Sequence, residues 1–188
     1  MMLTVCIPYR QRDKVYYDRL LLELNRFKGD LPVKFMSLPN DGSQTIGDYR
    51  QMLLESVETD WMVYVDADDR VSQDYFKLIF EGIESGKKVI GLSGIITTNG
   101  VNPYRFEHSI RHQKWFEKRV NGKLQYFRPP NHLNPIRTEI ALQVGFQSLK
   151  HGEDMDYSLR LQKSGLLTPD DEYYIEKPIY YYLYRPRK

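Results

Sequence analysis

The chain has 188 residues, of which 41% are hydrophobic and 28% charged, and its formal net charge is +2. This composition is typical of a globular domain and excludes a disordered or low-complexity chain. No apolar run approaches the ~18 residues of a membrane span, and a lone cysteine, Cys6, excludes a disulfide framework. The N-terminal apolar stretch is too short for a secretory signal, so we expect a single cytoplasmic domain with Cys6 in its core.

The first hundred residues alternate between strand and helix patterns. Apolar runs predict strands over residues 3–8, 33–38, 61–65 and 87–96. Apolar residues at helical spacing predict a first helix through Tyr16, Leu20, Leu24 and Phe27, which ends at Gly29. The same spacing predicts a second helix through Ile46, Tyr49, Leu53 and Val57. A third helix is predicted over residues 73–84, with Ser72 as its N-cap. This alternation implies crossover connections and a largely parallel sheet.

The second half of the chain is less regular. Residues 99–131 are polar, basic and aromatic, and we expect a loop there with a short helix over residues 107–119. Pro135 is placed to open a helix over residues 136–144, and acids in a first turn predict another helix over residues 153–165. The aromatic tail favours a strand, and no repeat or domain boundary interrupts the chain.

Polar segments follow the first three predicted strands. They are PYR (8–10), NDGS (40–43) and DADD (66–69). Ligands of parallel sheets bind at the carboxyl ends of the strands, so we expect these segments to meet in one site. If the strand continued, Asp66 and Asp68 would share one side and chelate a divalent cation such as Mg²⁺ or Mn²⁺. The simpler alternative is an acidic turn whose Asp69 lies near the N-terminus of the next helix.

A series of motifs gives the chain a specific resemblance. In order they are IPYR (7–10), NDGS (40–43), Gly47 with Arg50, VDADD (65–69), NHLNPIRTEIALQVGF (131–146) and HGEDMDYSLRLQKSG (151–165). This order resembles the inverting, DxD-containing glycosyltransferases of family two, over nearly the whole chain. The resemblance implies an α/β, single-domain GT-A (Rossmann-like) fold with a mostly parallel central sheet flanked by helices. It also implies a nucleotide-sugar-binding half, residues 1–100, and an acceptor-binding and catalytic half, residues 101–188.

The resemblance further implies roles for individual residues. Donor binding is expected from Pro8, Tyr9, Arg10, Asp41, Gly47, Arg50, Asp66, Ala67 and Asp68, with Asp41 accepting from the nucleotide base. The metal ligands would be Asp68, Asp66 and His132, although a structural or surface role for His132 is an equal alternative. Asp154 would be the general base, with Glu153 as its substitute, unless these acids only satisfy the N-terminus of their helix.

Roles are also predicted for the C-terminal cations and for two further histidines. Relatives carry a histidine near the C-terminus that reaches the metal or diphosphate, and this chain lacks it there. Arg185, Arg187 or Lys188 would then bind diphosphate as plain cations. His108 and His112 are expected at the surface.

The implied reaction is metal-dependent transfer of a sugar, most commonly from UDP, to an acceptor hydroxyl with inversion. The sequence does not decide the identity of the acceptor. Residues 104–130, where relatives bind acceptors, interleave seven cations with six aromatic side chains. That mixture suits modified nucleic acid, a glycan or protein acceptor reached through Trp115, Arg111 and Lys114, or an anionic lipid headgroup. The plainest alternative is a solvated basic helix with its aromatic residues in the core.

Two other functions compete with sugar transfer. A nucleotidyltransferase would carry a glycine-rich phosphate loop after the first strand, which IPYRQRDK lacks. A non-catalytic module that binds nucleic acid or glycan on the same fold would be expected to have lost its acids, yet the acids are present. A calcium loop is disfavoured, because DADDRVSQDY lacks the required glycine and terminal glutamate.

Overall fold

The first half of the protein alternates strands and helices, as its apolar pattern predicts. The computed structural model describes residues 1–38 and 40–185. In chain order this half contains β1 (Leu3–Cys6), α1 (Lys14–Lys28), β2 (Val33–Met36), α2 (Ile46–Glu55), β3 (Trp61–Tyr64), β4 (Arg70–Val71), α3 (Tyr75–Glu84) and β5 (Val89–Thr98). The short strand β4 is not among the strands predicted from the sequence. Asp74, rather than Ser72, is the N-cap of α3, and the Ser72 carbonyl accepts from the Tyr75 amide.

The second half contains strands where the sequence pattern predicts a loop and a helix. Its elements are β6 (Val101–His108), β7 (Phe116–Val120), β8 (Lys123–Arg128), β9 (Ile136–Arg137), α4 (Thr138–Val144), α5 (Glu153–Lys163) and β10 (Glu172–Tyr184). The helix predicted over residues 107–119 is wrong, because β7 and β8 form a hairpin around Asn121-Gly122. Both turn residues have positive φ, 51° and 77°, and Asn-Gly is a strong hairpin signal in any sequence. The helix expected over residues 136–144 begins at Thr138, since Ile136 pairs with β3 and β5.

The strands form one mixed sheet in the order β2-β1-β3-β9-β5-β6-β8-β7, and β10 pairs with β5 and β4 off this path. β1 is parallel to β2 and β3, β5 to β10, and β6 to β8. The remaining pairs are antiparallel. The α/β class is therefore confirmed, whereas the mostly parallel sheet of the prediction is a mixed one. Its parallel part brings the carboxyl ends of β1, β2 and β3 to a common edge.

Helices cover both faces of the sheet and bury an apolar layer on each. α1 and α3 pack on one face through Leu20, Leu24, Phe76 and Ile79. α2, α4 and α5 pack on the other through Leu53, Ile140 and Leu161. Cys6 lies in the second layer, as expected of a core residue, and burial raises the pKa of its thiol to about 12. No helix in the described ranges is both long enough and apolar enough to cross a bilayer.

Gly47, in the first turn of α2, allows that helix to approach the segment that precedes α5. The Gly47 amide donates to the Leu149 carbonyl at 3.1 Å. A Cβ at this position would lie 1.9 Å from the carbonyl oxygen of Gln147. A capping box between Thr45 and Asp48 fixes the start of α2. Only glycine therefore fits between these two backbones.

We expect Gly47→Ala to lower the free energy of unfolding by about 1–3 kcal/mol, the usual cost of overpacking, because the opposing atom is backbone. Urea unfolding measures the change. Met52→Ala is the matched control, since Met52 is 39% exposed on the same helix and its loss should cost under about 0.5 kcal/mol. An unchanged midpoint for Gly47→Ala would contradict the close approach.

Candidate active site

A cleft of about 580 Å³ opens at the carboxyl ends of the parallel strands, and we call it the outer cleft. The loops after β1, β2 and β3 supply one wall, which includes Pro8, Tyr9, Arg10, Asn40, Asp66, Ala67 and Asp68. The segment leading into α5 and the end of β10 supply the other, which includes Lys150, His151, Gly152, Glu153, Tyr182 and Arg185. The residues predicted at positions 8–10 and 66–68 thus lie together, as expected.

A second space of about 270 Å³, the inner cavity, adjoins the outer cleft. Its lining includes Ile96, Phe106, His108, Trp115, Tyr126, Arg128, Asn131, His132 and Asp154. Four residues line both spaces and mark the boundary between them, namely Arg50, Asp66, Glu153 and Tyr182. The two spaces therefore meet at a group of buried charges.

Arg50 is the cation that balances the acidic end of β3. Its side chain is buried, and Nη2 donates to Asp66 Oδ1 at 3.0 Å while Nε donates to Glu153 Oε1 at 3.2 Å. The guanidinium lies 5.3 Å from the centre of the Tyr64 ring. Arg50 belongs to α2, Asp66 follows β3 and Glu153 begins α5, so one side chain joins three elements. Its Nη1 is buried and has no hydrogen-bond partner in the described part of the chain.

The buried charges stabilise each other's ionised forms. Burial alone would raise the pKa of Asp66, but Arg50 and a hydrogen bond with His132 lower it well below its ordinary value. Burial also acts to lower the pKa of Arg50, and Asp66 and Glu153 outweigh it and raise that pKa. His132 Nε2 lies 3.3 Å from Asp66 Oδ2. Side chains of the protein alone therefore neutralise Asp66.

The next two aspartates have separate environments. β3 ends at Tyr64, so strand alternation does not set the direction of Asp66 and Asp68. Asp68 is half-buried in the outer cleft, where burial and the neighbouring Asp66 raise its pKa, and it accepts from Arg185 Nη1 at 3.1 Å. Asp69 is buried and accepts from the Tyr180 hydroxyl at 2.7 Å and from the Leu183 amide at 2.8 Å.

Asp69 therefore anchors β10 to the acidic turn. The alternative that placed it at the start of the next helix is wrong, because β4 and the turn before Asp74 separate it from α3. Arg185, which the sequence analysis assigns to a diphosphate, lines the outer cleft. Arg187 and Lys188, predicted for the same role, lie outside the described residues.

Among the described residues, the outer cleft offers a divalent cation two accessible carboxylates, those of Asp68 and Asp13. Within residues 1–38 and 40–185, no three His, Cys, Asp or Glu side chains converge as a metal site. Asp66 and His132 already contact each other, and Arg50 occupies the remaining oxygen of Asp66. Mg²⁺ is commonly held by one or two carboxylates together with substrate phosphates, and Asp68 fits that role. Asp66, Asp68 and His132 do not form a three-ligand cluster.

The two acids at the start of α5 differ in their burial and in the contacts of their side chains. Glu153 is buried and held by Arg50. Asp154 is half-buried and lines the inner cavity, and its Oδ1 accepts from the Met155 amide at 2.9 Å. Gly152, with φ 76°, turns the chain into the helix at this point. Asp154 is thus the acid of this pair that a ligand in the inner cavity can reach.

Two residues predicted for donor binding line neither space. Asp41 is exposed, and its Oδ1 accepts from the Ser43 amide, a bond that lowers the Asp41 pKa. Its neighbour Asn40 lines the outer cleft instead. Gly47 contacts the backbone at residues 147–149, so its role is packing.

Trp115 is the predicted acceptor-binding residue that reaches the inner cavity. Its Nε1 donates to Ser158 Oγ at 3.3 Å, and the Arg128 guanidinium lies 4.0 Å from the centre of its ring. Arg111 and Lys114, predicted with it, are exposed and line neither space.

His108 is not a surface residue, contrary to the prediction. It is 1% exposed and lines the inner cavity, and burial followed by nearby Arg128 lowers its pKa well below the ordinary value, which keeps the ring neutral. Neither ring nitrogen has a hydrogen-bond partner among the described residues. His112 is half-buried, with its ring against Phe116 and Phe127. Strand pairing accounts for the position of His108, since β6 turns every second side chain inward.

Several lining residues escape the sequence analysis. Asn40 is the first residue of NDGS and Lys150 immediately precedes HGED, so their position in or next to these motifs is a usable signal. Arg128, Asn131 and Tyr182 lie on or beside strands whose pairing is decided by the fold. Periodicity alone gives no signal for these three.

Comparisons with known proteins bear on the family and the fold of the chain. The profile described as glycosyl transferase family group 2 matches residues 61–176. The structure of S. aureus TarS 1–349 in complex with UDP-GlcNAc has a TM-score of 0.67 and 16% identity, covering 100% of this chain and 59% of that one. The complex of TarS 1–349 with UDP has a TM-score of 0.66 and 17% identity, covering 98% of this chain and 61% of that one.

The full TarS structure also matches, with a TM-score of 0.67 and 15% identity, and 37% of its length is covered. No curated protein matches the chain in sequence. Identities this low show a shared fold alone. The chain spans about three-fifths of the TarS 1–349 structures that it resembles.

Arg50→Met tests the buried ion network. We expect it to lower the free energy of unfolding by about 3–5 kcal/mol, because Asp66 and Glu153 would keep buried charges without a partner. Urea unfolding measures the loss. Arg70→Met, which removes the more exposed pair with Glu23, is the control and should cost at most about 1 kcal/mol. Equal losses in the two variants would show that the network does not hold the site together.

Proposed function

The chain belongs to glycosyl transferase family group 2, and we propose that it transfers a sugar from a nucleoside diphosphate to an acceptor hydroxyl. The observation that carries this proposal is the meeting of a cleft containing Asp68 with a cavity containing Asp154. A donor in the outer cleft would present its sugar at the boundary between them. Residues 1–100 would then supply most of the donor site, and residues 101–188 most of the acceptor site.

The donor we propose is a UDP-sugar. TarS, which has the same fold, has been solved with UDP and with UDP-GlcNAc, and this supports the assignment. The nucleoside would lie against Pro8, Tyr9 and Asn40, where the outer cleft is bounded by the loops after β1 and β2. Arg10 and Arg185 would supply cations for the diphosphate.

Asp68 would hold a divalent cation, Mn²⁺ or Mg²⁺, that arrives with the diphosphate. When bound, the cation would neutralise charge on the leaving diphosphate. The contact between Arg185 and Asp68 in the present structure supports this placement, because it marks Asp68 as a carboxylate that takes a cationic partner from the cleft side. Asp66 would remain with Arg50 and orient the acidic turn.

Asp154 is the residue we propose as general base. The acceptor oxygen would bond to the anomeric carbon as the bond from that carbon to the diphosphate oxygen breaks. The hydroxyl proton would pass to the Asp154 carboxylate, and the electron pair would leave with the diphosphate. A single displacement of this kind inverts the anomeric configuration. Glu153 is less suited to the role, since protonation would remove one partner of Arg50.

Binding of UDP tests the donor site. We expect UDP with Mn²⁺ to raise the melting temperature by several degrees, because a ligand at about 100 times its Kd adds about 2.7 kcal/mol. Asp68→Ala should lose this shift. Asp30→Ala should keep it, since Asp30 is exposed and precedes β2, away from the carboxyl ends of the strands. No shift with any nucleoside diphosphate would contradict sugar transfer and favour the non-catalytic alternative.

Asp154→Asn tests the base. It should reduce UDP release in the presence of acceptor by about 10²- to 10⁴-fold, the usual contribution of a positioned base, while the UDP-dependent thermal shift stays intact. Asp156→Asn makes the same charge change in α5, where Asp156 pairs with Arg160 on the helix surface, and should keep the rate. A full rate in Asp154→Asn would assign the base elsewhere.

A further inference from the structure

A row of tyrosines continues outward from the inner cavity along one face of the sheet. Strand register places Tyr104 beside Ile96 of β5, and Ile96 beside Tyr182 of β10. Phe106 pairs in turn with Tyr126 of β8. Side chains two apart on a strand share a face, so all of these lie on the same side of the sheet. We call Tyr104, Tyr126, Tyr182 and Tyr184 the tyrosine face.

The tyrosine face is continuous with the cavity that contains the candidate base. Tyr126 and Tyr182 line the inner cavity together with Asp154. Tyr104 lies one step further out, with its ring centre 6.3 Å from that of Tyr126 and an edge-to-face orientation. Tyr184 follows Tyr182 outward at a ring distance of 6.3 Å and is 44% exposed. The rings thus form a path from Asp154 to the surface.

Strand register also places the four tyrosines and three of the five cations of β6, β7 and β8 on opposite faces of the sheet. Arg105 of β6 pairs with Gln125, and Lys118 of β7 pairs with the same Gln125. Lys123 shares the face of Gln125, because it lies two residues away on β8. Arg105, Lys118 and Lys123 therefore lie on the face opposite the tyrosines. The tyrosine side keeps Arg119 and Arg128, which are offset in part by Glu117.

This separation decides between ligand classes. Non-specific binding of single-stranded nucleic acid requires a positively charged groove that follows the backbone beside the stacking rings. Here three of the five basic side chains on β6, β7 and β8 face away from the rings, and the two on the tyrosine side, Arg119 and Arg128, are offset in part by Glu117. A tyrosine offers a flat apolar ring and a hydroxyl that both donates and accepts hydrogen bonds. These properties match a sugar, which has an apolar ring face and hydroxyls at its edge.

We propose that the tyrosine face binds the acceptor as an extended, uncharged glycan, whose terminal hydroxyl reaches Asp154. Sugar units behind the terminal one pack on Tyr126 and Tyr104, or on Tyr184 at the outer end. His108 and Asn131 line the same cavity beside these rings. This inference rests on the proposed sugar transfer, because it names the acceptor of that reaction.

The test uses the fluorescently labelled 188-residue chain on a printed array of neutral and acidic oligosaccharides. The same protein is titrated with fluorescent oligothymidine and oligoadenylate. We expect neutral glycans to be retained, and Tyr104→Ala and Tyr126→Ala each to weaken retention by about tenfold. Tyr104→Phe keeps the ring and should recover most of the loss. Lys118→Ala and Lys123→Ala, on the opposite face, should bind as the unchanged protein does.

Other outcomes overturn the inference in distinguishable ways. Retention of no neutral glycan, retention of acidic glycans alone, or tighter binding of the oligonucleotides with loss in the lysine variants would each contradict it. Glycan retention that is equal in the tyrosine variants would place the acceptor elsewhere. The UDP-dependent thermal shift is measured in every variant. A normal shift with no glycan retained refutes the acceptor assignment alone, whereas an absent shift refutes the donor site.

Discussion

The site depends on one buried guanidinium that holds two carboxylates from distant parts of the sequence. Arg50 reaches Asp66 after β3 and Glu153 at the start of α5, within hydrogen-bond distance of both. Buried charges are tolerated in proteins when they are paired in this way. The three paired side chains line both the outer cleft and the inner cavity, so they lie at the boundary between the two spaces.

In each of the two acidic motifs, adjacent acids have different roles. In the turn after β3, Asp69 is buried and binds β10, whereas Asp68 faces the outer cleft. At the start of α5, Glu153 is buried against Arg50, whereas Asp154 faces the inner cavity. In each pair, one acid supports the fold and its neighbour stays accessible. Because the two acids of each pair are adjacent in the chain, the contacts that hold the buried acid also fix the backbone position of the accessible acid.

In the hairpin formed by β7 and β8, cations and aromatic residues are mixed along the sequence, and the strand register distributes them between the two faces of the sheet. In the sequence its cations and aromatic residues are interleaved, which suits several acceptor classes equally. In the sheet they alternate between faces, so that Tyr126 and Arg128 point toward the inner cavity while Lys118 and Lys123 point away. The chemistry available to an acceptor therefore depends on strand pairing rather than on composition.

The resemblance to family-two glycosyltransferases suggested the candidate acids Asp68 and Asp154, and the sequence by itself determined the alternating first half and the three polar segments at the strand ends. These follow from local patterns, because apolar periodicity and turn residues act over a few positions. Only the tertiary structure decided that Arg50 neutralises Asp66, that Asn40 rather than Asp41 lines the outer cleft, and that His108 is buried. Each of these depends on contacts or strand pairing between residues far apart in the chain, where side chains compete for the same buried space and no local pattern records the outcome.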